Sequence, residues 1–314
     1  MVTETTQRKH GGGAHRKGTA SMIRVEGGTL LQGSDDFYPE EQPVREVEVD
    51  TLWVDEHPVT NAEFRRFVKD TGHVTVAEVA PDPADFPDAD PSMLVPGSLV
   101  FTPTPGPVPL DDWHQWWRWQ PGADWRHPEG PDSTLHGREK HPVVHVAYED
   151  AKAYAAWAGK RLPFEAEWEW AGRGGLVGKA YAWGDEFMPK GRIMANTWHG
   201  EFPWRNDRPG KHGLTSPVGS YPPNGYGLFD MAGNVWEWTN SPWTFSHADG
   251  HAVEASSCCA PSHLADESNR MVSKGGSHLC APSYCHRYRP AARQGQAIKS
   301  TTGHLGFRCV ADAD

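Results

Sequence analysis

Residues Gly275–Arg293 read GGSHLCAPSYCHRYRPAAR, and this stretch decides what kind of fold the chain needs. It places Cys280 and Cys285 five residues apart, beside Ser277, His286, Arg287 and Arg289. Side chains at that spacing point to different faces of a helix or a strand, and Pro282 interrupts any continuous helix. The two sulfurs can converge only if the segment is an irregular loop held by the rest of the molecule. Such a loop suggests a site, because thiolates are the reactive and metal-binding form of cysteine and neighbouring cations favour it.

The residues alone leave other readings open. A short loop can bring two cysteines within bridging distance as a structural disulfide. A zinc site could be drawn from Cys280, Cys285, His278 and His286, although adjacent Cys285 and His286 chelate poorly and structural zinc motifs favour separated ligand pairs. The cysteines could also be small buried hydrophobes. Arg287 and Arg289 could lower a thiol pKa, grip the backbone of a bound chain, or form ordinary salt bridges.

Composition agrees with a loop-rich fold. Among 314 residues, Gly and Pro number 33 and 27, about 19% of the chain against roughly 12% in average usage. They are spread along the sequence, which predicts sparse, irregular secondary structure in one domain rather than a disordered chain. The 15 Trp supply much of the burial. A net charge of −11 argues against general nucleic-acid binding, and no apolar run approaches the length of a membrane span. Residues 1–21 read as a disordered polar tail without the apolar core of a secretory signal, and residues 22–314 as the domain. Five cysteines, an odd number, fit a reducing cytoplasm.

Along the chain, alternation in MIRVEGGTLLQGS and REVEVDTLWVDEHPVT predicts strands. Thr60 and Glu63 form a capping box for the helix NAEFRRFVKDTG, with Phe64, Phe67 and Val68 on one face and Gly72 at its end. A second helix is predicted in AYEDAKAYAAWAGK, stopping at Gly159. RLPFEAEWEWAGRGG predicts a third, with Pro163 in its first turn and Gly172 at its end. Residues 76–112, rich in Pro and Asp, read as a long surface excursion.

Seven motifs occur in order: HPVTNAEF (57–64), WRHPEGPDST (125–134), HPVVHVAYEDAKAYAAWAGKRLPFEAEWEWAGRGG (141–175), ANTWHGEFP (195–203), PPNGYGLFDMAGNVWEWT (222–239), KGGSHLCAPSYCHRYRPAAR (274–293) and GHLGFRCV (303–310). The chain resembles the formylglycine-generating enzymes, or sulfatase-modifying factors, of the actinobacterial type. The resemblance runs from about residue 22 to residue 311, and the two-cysteine segment with WRHPEGPDST is its specific part. It implies an α+β, C-type-lectin-like single domain of low secondary-structure content. It also implies an activity: oxidation by O2 of a cysteine in a C-x-P-x-R motif of a client sulfatase to Cα-formylglycine. An external thiol reductant supplies the further electrons.

The resemblance assigns Cu(I) to Cys280 and Cys285, and soft thiolates do select soft ions. It places Ser277, Trp236 and Tyr284 around the copper and the oxygen. In DMAGNVWE, Asp230, Gly233, Val235 and Glu237 match a structural Ca²⁺ site, a set of hard oxygen donors. Asn196 and Thr197 match the start of a second calcium site whose downstream acidic partner is displaced here, leaving Asp207 as a substitute. Secreted members pair the cysteine of GFRC with another; the matching position here is Ala155, so Cys309 is expected to be a free buried thiol. Cys258 and Cys259 receive no role. The client is expected to enter as an unstructured peptide along a groove leading to Cys285, walled by residues 76–112 and 125–134. Alternatives from other classes are a metal-free thiol oxidase using the Cys280/Cys285 pair and a lectin-like binding module. An iron-dependent sulfoxide synthase would need an added helical domain that the sequence lacks.

Overall fold

The computed structural model describes residues 21–313 apart from 86, 88–89, 208–213 and 249–268. The expected tail lies almost wholly outside the described residues, and Cys258 and Cys259 lie outside them entirely. Strand β1 (Met22–Val25) pairs antiparallel with β4 (Leu52–Asp55), whose other edge takes β11 (Val310–Asp312), so the two ends of the domain share one sheet. β2 (Gly28–Gln32) pairs with β3 (Arg45–Val49), and β5 (Gly97–Phe101) with β6 (Trp117–Pro121). A four-stranded sheet has the order β10 (Leu305–Gly306), β7 (Trp236–Pro242), β8 (Arg270–Lys274), β9 (Arg293–Ala297). With three α-helices among the described residues, this is the expected sparse α+β architecture. Among the described residues, no helix is long and apolar enough to cross a membrane.

Helix α1 (Asn61–Thr71) follows its sequence signals closely. Thr60 and Glu63 make a reciprocal capping box, and Gly72 ends the helix in the left-handed region at φ 71°. Phe64, Phe67 and Val68 are buried, Phe64 lying edge-on to Trp125 at 5.2 Å. Helix α2 (Tyr148–Trp157) stops just before Gly159. Helix α3 departs from expectation, running Glu165–Arg173 with Pro163 outside it and ending at Gly174, φ 58°. The Glu167 carboxylate accepts the Phe164 N–H at 2.7 Å, setting the later start. Gly172 lies within the helix, where a Cβ would sit 3.0 Å from the Trp168 ring and 3.4 Å from Met231; it is a packing glycine, not a stop.

The 76–112 stretch is also more ordered than predicted. It contains β5, whose Ser98 is fully buried and bonded at 2.7 Å to Nδ1 of His145. A short apolar run set among prolines carries too little periodicity to reveal a strand.

Buried ion pairs tie the loop-rich part together. Arg287 meets Glu40 at 2.6 Å, Arg289 meets Glu41 at 2.5 Å, Arg293 meets Glu165 at 2.7 Å and Lys274 meets Glu169 at 3.0 Å. The salt-bridge reading of Arg287 and Arg289 is the one these contacts bear out. Their guanidiniums also cover the Tyr38 and Phe37 rings at 3.9 and 3.6 Å. These contacts anchor the chain immediately after Cys285 to the Phe37–Glu41 segment.

Candidate active site

After β8, Gly275 and Gly276 carry the chain through left-handed turns at φ 90° and 69°. A Cβ on Gly276 would meet the Arg287 carbonyl oxygen at 2.8 Å, so only glycine lets the outgoing and returning strands approach this closely. The Ala281 carbonyl accepts the N–H groups of Tyr284 and Cys285 at 3.0 and 2.8 Å, closing a turn around Pro282. That turn folds Cys285 back over Cys280, with their sulfurs 3.0 Å apart. Both residues are fully buried and neither is in a disulfide. The separation exceeds the S–S bond of about 2.05 Å, so this is a dithiol.

The Ser277 N–H points at the Cys280 sulfur at 3.4 Å, while its hydroxyl oxygen accepts the Leu279 N–H at 3.2 Å. Ser277 thus shapes the loop and faces one thiol. Trp236 begins β7, is buried in the same apolar cluster as both cysteines, and its Nε1 has no hydrogen-bond partner. Tyr284 is half-buried and lies flat on Phe202, centroids 4.5 Å apart and planes at 4°. Trp116 meets Tyr284 edge-on at 5.4 Å, and Phe101 and Trp198 extend the wall behind Phe202. The Cys280 carbonyl accepts the Trp198 N–H at 2.9 Å, fixing the wall to the cysteine loop. Through Phe101, part of the 76–112 stretch packs behind this wall.

The 125–134 segment is placed differently. Trp125 packs into the core against Phe64, Arg126 pairs with Glu78, and Glu129 pairs with Arg138 at 2.5 Å. Its Pro128 and Glu129 line, with Val100, Phe101 and His278, a small cavity of about 50 Å³. Arg126 and Glu129 are engaged with internal partners, and the segment's contacts build the scaffold behind β5.

The histidines do not complete a zinc site. The Tyr181 hydroxyl lies 2.8 Å from Nε2 of His286, and burial with the nearby Arg289 holds His286 down to about 4. His278 Nδ1 faces the Asn234 carbonyl at 2.7 Å. Among the described residues, no group of three or more His, Cys, Asp or Glu side chains converges on a cation. The donor set at the loop is two thiols, which fits a soft ion such as Cu(I).

The DMAGNVWE turn is more mixed. Asp230 is buried at φ 55°, and its carboxylate accepts the Gly219 N–H at 2.8 Å and the Asn234 amide at 3.4 Å. Burial pushes its carboxyl above the usual range, and the charge of Glu237 adds to this. Asp230 thus fits a hard cation, since the groups bonded to it are neutral. Glu237 is already committed: Arg308 donates to both oxygens at 2.6 and 2.8 Å, and Trp168 Nε1 donates at 2.7 Å. Any cation would have to share that carboxylate with a guanidinium.

Gly233 bridges to Asn196, and a Cβ there would lie 2.3 Å from the Asn196 carbonyl oxygen. Val235 is buried two residues on. The Asn196 amide N–H groups go to Leu214, Ser216 and Asn234, and the Thr197 hydroxyl meets His199 at 3.1 Å. Asp207 pairs with Arg205 at 3.0 Å on the surface.

Cys309 is a free, fully buried thiol. Burial pushes it well above the ordinary thiol range, with the Asp55 charge adding. Cys309→Ala is expected to keep wild-type peptide turnover and to lose about 1–2 kcal/mol of stability. Paired initial rates and denaturant melts check this, and lost turnover would mean that the functional thiols are misassigned.

A C-type-lectin-like α+β domain presenting a buried dithiol on a loop beside an aromatic wall defines the class. The sequence matches the model of the sulfatase-modifying factor enzyme 1-like domain over residues 8–313. It is 55% identical over 296 residues to the formylglycine-generating enzyme of Mycobacterium tuberculosis, covering 93% of this chain and 97% of that one. It is 39% identical to the inactive Cα-formylglycine-generating enzyme 2 of Bos taurus, covering 94% and 89%. PvdO from Pseudomonas aeruginosa shares the fold, with a TM-score of 0.60 at 23% identity, over 93% of this chain and 94% of that one. The chain belongs to the formylglycine-generating enzyme family.

Sequence reasoning missed Phe202 and Trp116 as wall residues and Tyr288 as a neighbour of the thiols. The motif WHGEFP and the paired tryptophans of QWWRW were available signals, but nothing in their spacing says that they meet Tyr284.

Proposed function

We propose that this protein converts the cysteine of a C-x-P-x-R motif in client sulfatase polypeptides to Cα-formylglycine, using O2 and an external thiol. The observation that carries the reading is the buried dithiol, sulfurs 3.0 Å apart, at the end of an aromatic wall, in a chain of this family. Cys280 and Cys285 would hold Cu(I), which when bound supplies a soft centre for the client sulfur and for O2. The chain's own groups do the rest. The Ser277 N–H steadies the Cys280 sulfur, and the half-buried Tyr284 on Phe202 and Trp116 forms an apolar entrance that excludes water.

The chemistry balances. Two electrons and two protons leave the client cysteine, giving a thioaldehyde, and two of each come from the external dithiol or thiol pair. Together they reduce O2 to two waters, one of which is consumed as the thioaldehyde hydrolyses to aldehyde and hydrogen sulfide. Mass spectrometry of a C-x-P-x-R peptide incubated with the protein, O2, a thiol and Cu(I) tests the reaction class. Aldehyde formation, absent with the Cys→Ser peptide, is expected; an unchanged peptide would remove the reading.

We further propose that Asp230, with the Gly233 and Val235 carbonyls, holds Ca²⁺ as a structural ion. An ion bound only by the folded state stabilises it by mass action. A calcium chelator is therefore expected to lower the melting temperature of the parent protein and to leave Asp230→Ala unaffected. Equal sensitivity in both proteins would place the ion elsewhere.

A further inference from the structure

Tyr288 carries a hydroxyl that the fold buries and leaves unspent. The residue has 0% exposure and its oxygen has no hydrogen-bond partner. Such a group gives up its bonds to water on folding with nothing in exchange, and its survival in a native core calls for a reason. The ring cannot turn away to find one. Tyr181 stacks on it nearly parallel, at 6.0 Å and 8°, and Phe187 and His286 each lie 5.0 Å from it. Two of these neighbours are already bonded to each other, the Tyr181 hydroxyl to His286 Nε2.

The surroundings show what the hydroxyl is held for. Tyr288 belongs to the same buried cluster as Cys280, Cys285 and Trp236, and the Nε1 donors of Trp236 and Trp125 in that cluster also lack an acceptor. The Cys280 sulfur already faces the Ser277 N–H and the Cys285 sulfur. A phenol is an O–H donor near neutral pH, and a buried apolar setting disfavours its anion further. A dry site with two thiols, apolar walls and unspent donors suits an anionic or strongly polarised acceptor, and a thiolate sulfur is the one the reaction brings.

We infer that Tyr288 is a substrate-contacting residue whose hydroxyl donates a hydrogen bond to the sulfur of the client cysteine as it enters beside Cys280 and Cys285. This rests on the proposed function, and the test keeps the two apart. Tyr288→Phe removes one oxygen and preserves the ring stack. Equilibrium binding of a C-x-P-x-R peptide and its Cys→Ala analogue is measured without O2 on the copper-loaded parent and variant, alongside kcat/KM and thermal melts. The parent is expected to prefer the cysteine peptide. In Tyr288→Phe that preference is expected to shrink about ten- to a hundred-fold, the range for a hydrogen bond to a charged group. The alanine analogue should bind both proteins alike, and the melting temperature should hold or rise. An undiminished preference, or equal loss of affinity for both peptides, would overturn the assignment. Failure of the parent to turn over the peptide would instead count against the proposed function, and the binding comparison would still decide the role of Tyr288.

Discussion

Replacing either Cys280 or Cys285 by alanine is expected to lower peptide conversion by about three orders of magnitude or more, because groups that act as one unit fail together. A single remaining thiol cannot make the two-sulfur donor set, whether that set binds copper or cycles as a dithiol. The fold should survive. Each cysteine is a small buried side chain, and trimming one costs about 1–2 kcal/mol. The loop is independently pinned by the Ala281 turn, the Trp198–Cys280 backbone bond and the Arg287 and Arg289 ion pairs. Initial rates by mass spectrometry with matched circular dichroism melts check both halves. Appreciable copper-dependent conversion by either variant would remove the proposed site.

The second large effect concerns stability. In Glu237→Ala, Arg308 keeps its backbone acceptors Asp55 and Phe229 but loses the carboxylate that neutralises it in a fully buried position. Removing one member of a buried pair costs about 3–5 kcal/mol, because the remaining charge is stranded. For a domain of this size that is a fall in melting temperature of roughly 10 °C. Trp168 Nε1 also loses its acceptor. Replacing both partners together, as in Glu237→Leu with Arg308→Met, is expected to recover much of the loss, since no uncompensated charge is left. Melts of the single and double variants check this. If the single variant melts like the parent, the pair does not carry the stability argued here.

The sequence made some of this legible for identifiable reasons. Thr60 and Glu63, three apart before an apolar face, could be read as a helix start because a capping box is a local device. Cys280 and Cys285 announced themselves as a loop pair because neither regular spacing brings them together. The arginines of CHRYRPAAR were ambiguous for the opposite reason: their partners Glu40 and Glu41 lie more than 240 residues away along the chain. Glu237 read as a calcium ligand because motif spacing shows which oxygens are nearby, not which guanidinium already holds them. Gly172 looked like a helix stop, yet the Trp168 ring one turn earlier and Met231 from a distant segment crowd the space a Cβ would take. The wall of Phe202, Trp116 and Tyr284 joins three distant segments, and one-dimensional periodicity carries no record of such a meeting.

The most direct test of the central claim is the rate of aldehyde formation by metal-stripped protein as Cu(I) is added back, with peptide, O2 and a thiol in excess. The rate is expected to be near zero without metal, to rise linearly, and to level off at one equivalent per chain, with Cys280→Ala flat throughout. Undiminished conversion by the stripped protein would contradict a copper site and favour a metal-free dithiol at Cys280 and Cys285.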